Sequence, residues 1–132
     1  RKGIFTASSI RPYLEKGVEI EHILPQKPFS DEIASQFENY DRSKSMLGNL
    51  TLIEKSTNDV IKNKPYAEKV REYGKSPYYL TSSLLALDTI GNNTAINRLN
   101  QSLHSFNEWT QKSIEDRQEM LYKLALEIWK VE

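Results

Sequence analysis

Residues 47–66, "LGNLTLIEKSTNDVIKNKPY", carry the signals of a turn, a strand and a helix in immediate succession. The glycine and asparagine at 48–49 favour a turn, and the run at 50–53 favours an extended strand. Ser56 follows as a candidate cap of a helix that runs toward Pro65. This order predicts a strand that is followed closely by a helix.

Residues 18–26, "VEIEHILPQ", predict an earlier strand. β-favouring residues lie between Gly17 and Pro25, so the strand is expected to end near His22. Consecutive side chains of an ideal strand point to opposite faces of the sheet. Glu21 and His22 therefore reach one site only if the strand ends or bulges there.

Most of the remaining chain has helical spacing. A helix is expected over residues 31–40, with Ser30 placed to cap it, and a turn-rich loop over residues 91–102. Thr110 or Ser113 is expected to cap a last helix, whose apolar face consists of Ile114, Leu121, Leu124, Ala125 and Ile128. Five aromatic residues are expected in the core: Tyr78, Tyr79, Phe106, Trp109 and Trp129.

The chain has 132 residues, which is the usual size of one compact domain, and no cysteine. Disulfides, thiolate metal sites and cysteine nucleophiles are therefore excluded. No apolar run is long enough to span a membrane and the start lacks the pattern of a signal peptide, so a cytoplasmic protein is expected. Because residue 1 is arginine, the chain is expected to be part of a longer protein.

Charge is distributed unevenly, although the 18 basic and 18 acidic residues of the chain cancel. Residues 42–75 hold four acidic residues and eight basic ones, namely Arg42, Lys44, Lys55, Lys62, Lys64, Lys69, Arg71 and Lys75. A polyanion, if one binds, is expected to contact this basic region.

Glu21 and His22 combine a carboxylate with an imidazole. A neutral imidazole accepts a proton from water near neutral pH, and carboxylate and amide oxygens suit a hard cation such as Mg²⁺. Such a pair is also common as ordinary polar surface at the end of a strand. Two further residues favour a site: Asn49, at the turn before the second strand, and Asn58, in the first turn of the following helix.

Three segments together resemble the HNH-type nuclease domain at the C-terminal end of GmrSD-type, modification-dependent restriction enzymes. They are "EIEHILPQ" at 19–26, the stretch at 47–66 already quoted, and "FNEWTQKSIEDRQEMLYKLALEIW" at 106–129. The resemblance implies one α+β, mostly helical domain over residues 1–132. In it a small ββα-metal core of residues 18–66, a hairpin and a helix, is wrapped by helices within residues 67–132.

The resemblance also implies metal-dependent hydrolysis of DNA that leaves a 5′ phosphate. His22 corresponds to the general base, Glu21 and Asn58 to the ligands of one divalent ion, and Asn49 to the residue that braces the hairpin and orients the imidazole. Glutamate stands where aspartate is more common in the family, and Asn58 where histidine is more common. Both residues supply oxygen, which favours Mg²⁺ or Mn²⁺ over Zn²⁺.

Lys62, Asn63 and Lys64 follow the helix that carries Asn58 and are candidate contacts for DNA phosphates. The alternative is a solvated helix end, where the helix dipole favours lysine in any case. The sequence leaves both interpretations open.

Two functions are compatible with these patterns. The first is a DNA endonuclease domain, the effector of a modification-dependent restriction or anti-phage system, acting with an N-terminal sensor and nucleotide-hydrolysing part. The second is a non-catalytic DNA-binding or assembly module that uses the basic region 42–75. RNA remains a further candidate substrate, because it contains the same phosphodiester bond.

Overall fold

The computed structural model describes residues 17–85 and 103–130. Its elements are β1 (Val18–His22), α1 (Asp31–Ser35), α2 (Tyr40–Ser45), β2 (Leu50–Glu54), α3 (Lys55–Ile61), α4 (Tyr66–Tyr73), α5 (Tyr79–Ser82) and α6 (Gln111–Ile128). A single turn of 3₁₀ helix, Leu47–Asn49, leads into β2. This α+β, mostly helical architecture with a small hairpin followed by a helix confirms the predicted fold class.

β1 and β2 form an antiparallel hairpin in which His22 lies opposite Leu50. β1 ends at His22, as the sequence predicted. The expected cap at Ser56 is wrong, because β2 continues to Glu54 and α3 begins directly after it, which leaves Ser56 inside the first turn. The strand and the helix are therefore joined without a loop.

The segment between the strands contains two short helices, α1 and α2, where the sequence predicted one. Ser30 caps α1 as expected, since its hydroxyl accepts a hydrogen bond from the amide of Ile33 at 3.2 Å. Asn39 caps α2 in the same manner. Between the two helices Phe37 is 6% exposed and belongs to a core cluster with Ile114. Burial of this phenyl ring accompanies the break in the helix.

α6 begins with both of the residues that the sequence offered as alternative caps. Thr110 is the cap and Ser113 completes a reciprocal capping box. Ile114 is fully buried, whereas Ile128 is 44% exposed. Trp129, which was expected in the core, is 69% exposed. The apolar face of α6 is thus buried in its earlier turns and exposed to solvent at its end.

The 3₁₀ turn before β2 lies directly against α6. A Cβ on Gly48 would collide with the carbonyl oxygen of Ile114, so a residue without a side chain is required there. The guanidinium of Arg117 donates to the carbonyls of Gly48 and Leu50, at 2.9 and 2.7 Å. α6 therefore fixes the point at which the chain enters β2, the second strand of the hairpin.

The loop predicted over residues 91–102 lies outside the described residues. The assignment of residues 1–132 to a single domain remains a prediction. In the parts of the chain that the structure describes, no helix combines the length and the apolar character needed to cross a membrane.

Candidate functional site

A polar cavity of about 440 Å³ lies where β1 ends beside the C-terminal end of α3. Five of the seven predicted site residues line it: Glu21, His22, Asn58, Lys62 and Asn63. Asn49 and Lys64 do not. The other lining residues are Ile20, Pro25, Gln26, Lys27, Asp59 and Lys69. The fold therefore brings the end of the first strand and the end of the third helix to one place.

The carboxylate of Glu21 is buried in the wall of this cavity, and the residue is 4% exposed. Its Oε1 accepts hydrogen bonds from Lys69 Nζ at 2.6 Å and from the hydroxyl of Tyr73 at 2.8 Å. These bonds offset the unfavourable removal of a charged carboxylate from water. Among the described residues none donates to Oε2, which leaves this oxygen for another partner.

The imidazole of His22 is half-buried. Burial lowers the pKa of His22 below its ordinary value of 6.5. The carboxylate of Glu21 raises this pKa and the ammonium groups of Lys69 and Lys44 lower it, each by less than burial does. The ring is therefore neutral at pH 7 and able to accept a proton. A 3.4 Å contact between Nδ1 and the side-chain nitrogen of Gln26 is too long to fix the tautomer.

Asn58 lies in the first turn of α3, as the sequence predicted. Its Nδ2 donates to Glu19 Oε2 at 2.5 Å. Because an ionised carboxylate only accepts hydrogen bonds, this contact requires the amide nitrogen to face Glu19 and the amide oxygen to point elsewhere. Asn58 lines the same cavity as Glu21, and its amide oxygen is not the atom that contacts Glu19.

Asn49 is fully buried and binds the chain on both sides of the hairpin. Its Oδ1 accepts from the amide of Leu24 at 2.6 Å and from the indole of Trp109 at 2.9 Å. Its Nδ2 donates to the carbonyls of Leu24, at 3.0 Å, and Lys44, at 2.9 Å. These bonds hold the segment that directly follows His22, while the Asn49 side chain stays away from the cavity.

Lys62 ends α3 with a φ of +37°, in a region that residues other than glycine rarely adopt. Strain of this kind persists only where the surrounding structure maintains it, and it is frequent at functional sites. Lys62 and Asn63 line the cavity, whereas Lys64 is exposed outside it. The three candidate phosphate contacts therefore divide into two at the cavity and one beside it.

The sequence interpretation missed Lys69 and Tyr73, both in α4. Lys69 is 1% exposed, and it lies three residues after Tyr66 and four before Tyr73. These positions form the inward-facing stripe of an amphipathic helix. A lysine within such a stripe was the available signal, since a buried ammonium requires an acidic or polar partner.

The groups best suited to hold a cation are Glu21 Oε2 and Asn58 Oδ1, which accept no hydrogen bond from the described residues, because hard oxygen ligands suit Mg²⁺ and Mn²⁺. Across residues 17–85 and 103–130, no three or more His, Cys, Asp or Glu side chains are grouped so as to hold a metal ion. The ammonium of Lys69 beside the Glu21 carboxylate opposes tight cation binding in the absence of another anion.

Comparison with known proteins identifies the family. A family model described as the C-terminal domain of GmrSD restriction endonucleases matches residues 3–124, which include the whole hairpin, every residue of the cavity wall and most of α6. No curated protein and no solved structure gave a significant match. The match confirms the resemblance seen in the sequence. The chain belongs to the family of C-terminal domains of GmrSD restriction endonucleases.

Proposed function

We propose that this domain hydrolyses DNA phosphodiester bonds with one divalent cation, Mg²⁺ or Mn²⁺, as the nuclease of a cytoplasmic, modification-dependent restriction system. The observation that carries the proposal is the cavity whose wall includes the histidine His22, the glutamate Glu21 and the asparagine Asn58. Family membership supports a role related to restriction endonucleases.

His22 acts as the general base of the proposed reaction. Its lowered pKa keeps the imidazole neutral at pH 7, so that it takes a proton from the water that attacks phosphorus. Asn49 acts through His22. By binding Leu24 it holds the chain directly after the base, and its role is therefore one of positioning.

Glu21 and Asn58 are the proposed cation ligands, through Oε2 and Oδ1 respectively. When bound, the cation stabilises the charge that develops on the phosphate and on the departing oxygen. Two protein ligands leave coordination positions open for water and for phosphate oxygens, as Mg²⁺ sites commonly do.

The lysines near the cavity are the proposed contacts for the DNA backbone. Lys62 and Asn63 would bind phosphates next to the scissile one, and Lys27 is a further lysine of the cavity wall. Lys64 would contact a neighbouring phosphate from outside the wall. In the complete enzyme, an N-terminal sensor and nucleotide-hydrolysing part would select the modified duplex.

The second candidate function is a non-catalytic DNA-binding or assembly module that uses the basic region 42–75. One observation favours it: the ammonium of Lys69 already satisfies the carboxylate of Glu21, as in a structural ion pair. A second observation argues against this function. Two further lysines of the region are paired, Lys44 with Asp41 and Lys75 with Glu72, and this pairing reduces the positive charge on which electrostatic binding of DNA would depend.

Plasmid cleavage in the presence of Mg²⁺ or Mn²⁺ separates the two functions. His22→Ala is expected to lower the cleavage rate by about 10²- to 10⁴-fold, the usual contribution of a general base. DNA association that weakens with added salt should persist in this variant, because the backbone contacts remain.

His104→Ala is the matched control, since His104 is the other histidine of the chain and is exposed to solvent. It is expected to cleave at the wild-type rate. Wild-type protein that binds DNA but cuts it with neither cation would favour the binding module. Parallel digestion of RNA decides whether the substrate is DNA alone.

A further inference from the structure

Lys69 is a buried lysine in the wall of the cavity, with 1% of its side chain exposed. Its Nζ donates to Glu21 Oε1 at 2.6 Å and to the main-chain carbonyl of His22 at 3.1 Å. A buried ion pair contributes little net stability, because the loss of hydration offsets the attraction between the charges. Packing of the core therefore does not explain a lysine at this position.

The two contacts of Lys69 fix two consecutive residues of the proposed site. The bond to Glu21, together with that from Tyr73 to the same oxygen, holds Oε1 against α4, and no described residue donates to Oε2. The bond to the carbonyl of His22 fixes the backbone that carries the base. One side chain thus contacts both the carboxylate of Glu21 and the main chain of His22.

Lys69 also sets the charge balance around the cavity. Its ammonium cancels the charge of Glu21, and Asn58 is neutral. The remaining charged residues of the wall are one anion, Asp59, and two cations, Lys27 and Lys62, so the wall carries an excess of positive charge. A divalent cation that enters the DNA-free protein meets a positive charge next to its carboxylate ligand, and this repulsion weakens binding. A DNA phosphate beside the cation supplies the missing negative charge.

We propose that Lys69 is a positioning residue that makes cation binding depend on DNA. It orients Glu21 and His22, and it keeps the affinity for Mg²⁺ or Mn²⁺ low until a phosphate occupies the cavity. The inference rests on the proposed function. Its consequence is that the domain acquires a complete catalytic site only on its substrate.

Mn²⁺ binding followed by electron paramagnetic resonance tests the dependence on DNA directly. His22→Ala serves as the background, so that DNA is not cut during the measurement. A short DNA duplex is expected to raise the Mn²⁺ affinity of this protein by about tenfold or more. Mn²⁺ bound by the duplex itself is measured with the duplex alone and subtracted. Equal affinity with and without duplex would overturn the proposal.

Lys69→Met tests the residue itself. It is expected to raise the Mn²⁺ affinity of the DNA-free domain by about tenfold or more, because the repulsive charge is gone. It should also lower kcat, because Glu21 and His22 lose their support. A residue that only stabilises the fold would leave the DNA-free affinity unchanged or reduce it, and either result in a folded variant contradicts the proposed role.

Lys112→Met is the matched control, since it removes an exposed lysine of α6 that pairs with Asp116 and lies outside the basic region 42–75. It is expected to change neither Mn²⁺ affinity nor kcat. Lys69→Gln retains a hydrogen-bond donor without the charge and replaces Lys69→Met if that variant does not fold. If neither variant folds, the comparison of the His22→Ala protein with and without duplex still decides whether cation binding depends on DNA.

Different results would contradict the proposed nuclease function and the proposed role of Lys69. If Asn58→Ala leaves Mn²⁺ binding in the presence of DNA unchanged, the cation site and the proposed function are wrong. If Asn58→Ala removes the binding but Lys69→Met does not strengthen it in the DNA-free domain, the cation site stands and only the role of Lys69 is wrong.

Discussion

Two clusters of buried polar side chains lie against the hairpin, and they differ in what they bind. The turn cluster consists of Asn49, Trp109 and Arg117, and its bonds run to the main chain or within the cluster. The carboxylate cluster consists of Glu21, Lys69 and Tyr73, and its side-chain bonds converge on one oxygen at the cavity wall. The first cluster fixes the path of the backbone, and the second fixes a group suited to chemistry.

The two buried cations show the difference most clearly. Arg117 is 1% exposed and donates to the carbonyls of Gly48 and Leu50, and its Nε has no partner among the described residues. Burial lowers the pKa of Arg117 to about 10, so it remains charged at pH 7. Lys69, equally buried, is paired with the carboxylate of Glu21. A buried cation therefore indicates a site only when its partner also faces a cavity.

The largest expected effect is that of Asn49→Ala on stability. The substitution should lower the free energy of unfolding by about 4 kcal/mol, because four hydrogen bonds of buried groups are lost together. Urea denaturation measures the change. Asn39→Ala is the control, with an expected loss of about 1 kcal/mol, because it removes an exposed helix cap. Equal losses for the two variants would contradict the structural role of the turn cluster.

Arg117→Met should rank second, with a loss of about 3 kcal/mol, because the buried carbonyls of Gly48 and Leu50 lose their donors. The folded fraction is expected to keep its cleavage rate, in contrast to Lys69→Met. Lys123→Met, at an exposed position of α6, is the control. A stable Arg117→Met protein that no longer cleaves DNA would contradict the assignment of a purely structural role to the turn cluster.

Trp109→Phe should have a smaller effect, a loss of about 1 kcal/mol. Phenylalanine preserves the stacking on Tyr66, whose ring centroid lies 5.3 Å away, but it cannot donate to Asn49. Trp129→Phe is the matched control at an exposed tryptophan and should be neutral in the same urea titration. A neutral Trp109→Phe would show that the indole hydrogen bond contributes nothing to the turn cluster.

The smallest expected effect concerns the pKa of His22 in protein free of DNA and metal. The imidazole signal in a proton NMR titration should have a midpoint below 6.5, because burial disfavours the charged ring. The folded protein then binds this proton less tightly than the unfolded chain does. Stability should accordingly fall as the pH drops below 6.5.

Lys44→Met should raise that midpoint slightly, because the Lys44 ammonium lowers the pKa of His22. His22→Gln identifies the signal and should remove this part of the pH dependence. A midpoint at or above 6.5 in the wild-type protein would show that the imidazole is not held in the neutral form.

Local signals predicted much of the fold. The end of β1 at His22, the cap at Ser30 and the start of α6 at Thr110 depend on residues close in sequence, and the structure confirms all three. The start of α3 and the break between α1 and α2 were wrong. A continuous strand displaced the cap at Ser56, and the break coincides with the burial of Phe37, so tertiary packing overrode the local preference.

The candidate site was predictable where its residues belong to the hairpin and its helix. The resemblance to the HNH-type nuclease domain linked Glu21, His22 and Asn58, and all three line the cavity. Lys69 could not be linked to Glu21 in advance. Its partner lies far away in the sequence, and only the packing of α4 against β1 brings the two charges together.

Because β2 and α3 are joined directly, the number of residues in this part of the chain determines the position of Asn58 as much as their identity does. One residue inserted at the junction would rotate α3 by about 100° relative to the strand and would carry the amide of Asn58 out of the cavity. Insertions within the exposed residues 28–30, by contrast, would lengthen a surface connection and leave that alignment intact. The number of residues from β2 to Asn58 is therefore fixed by the geometry of the cavity, whatever side chains occupy the positions between them.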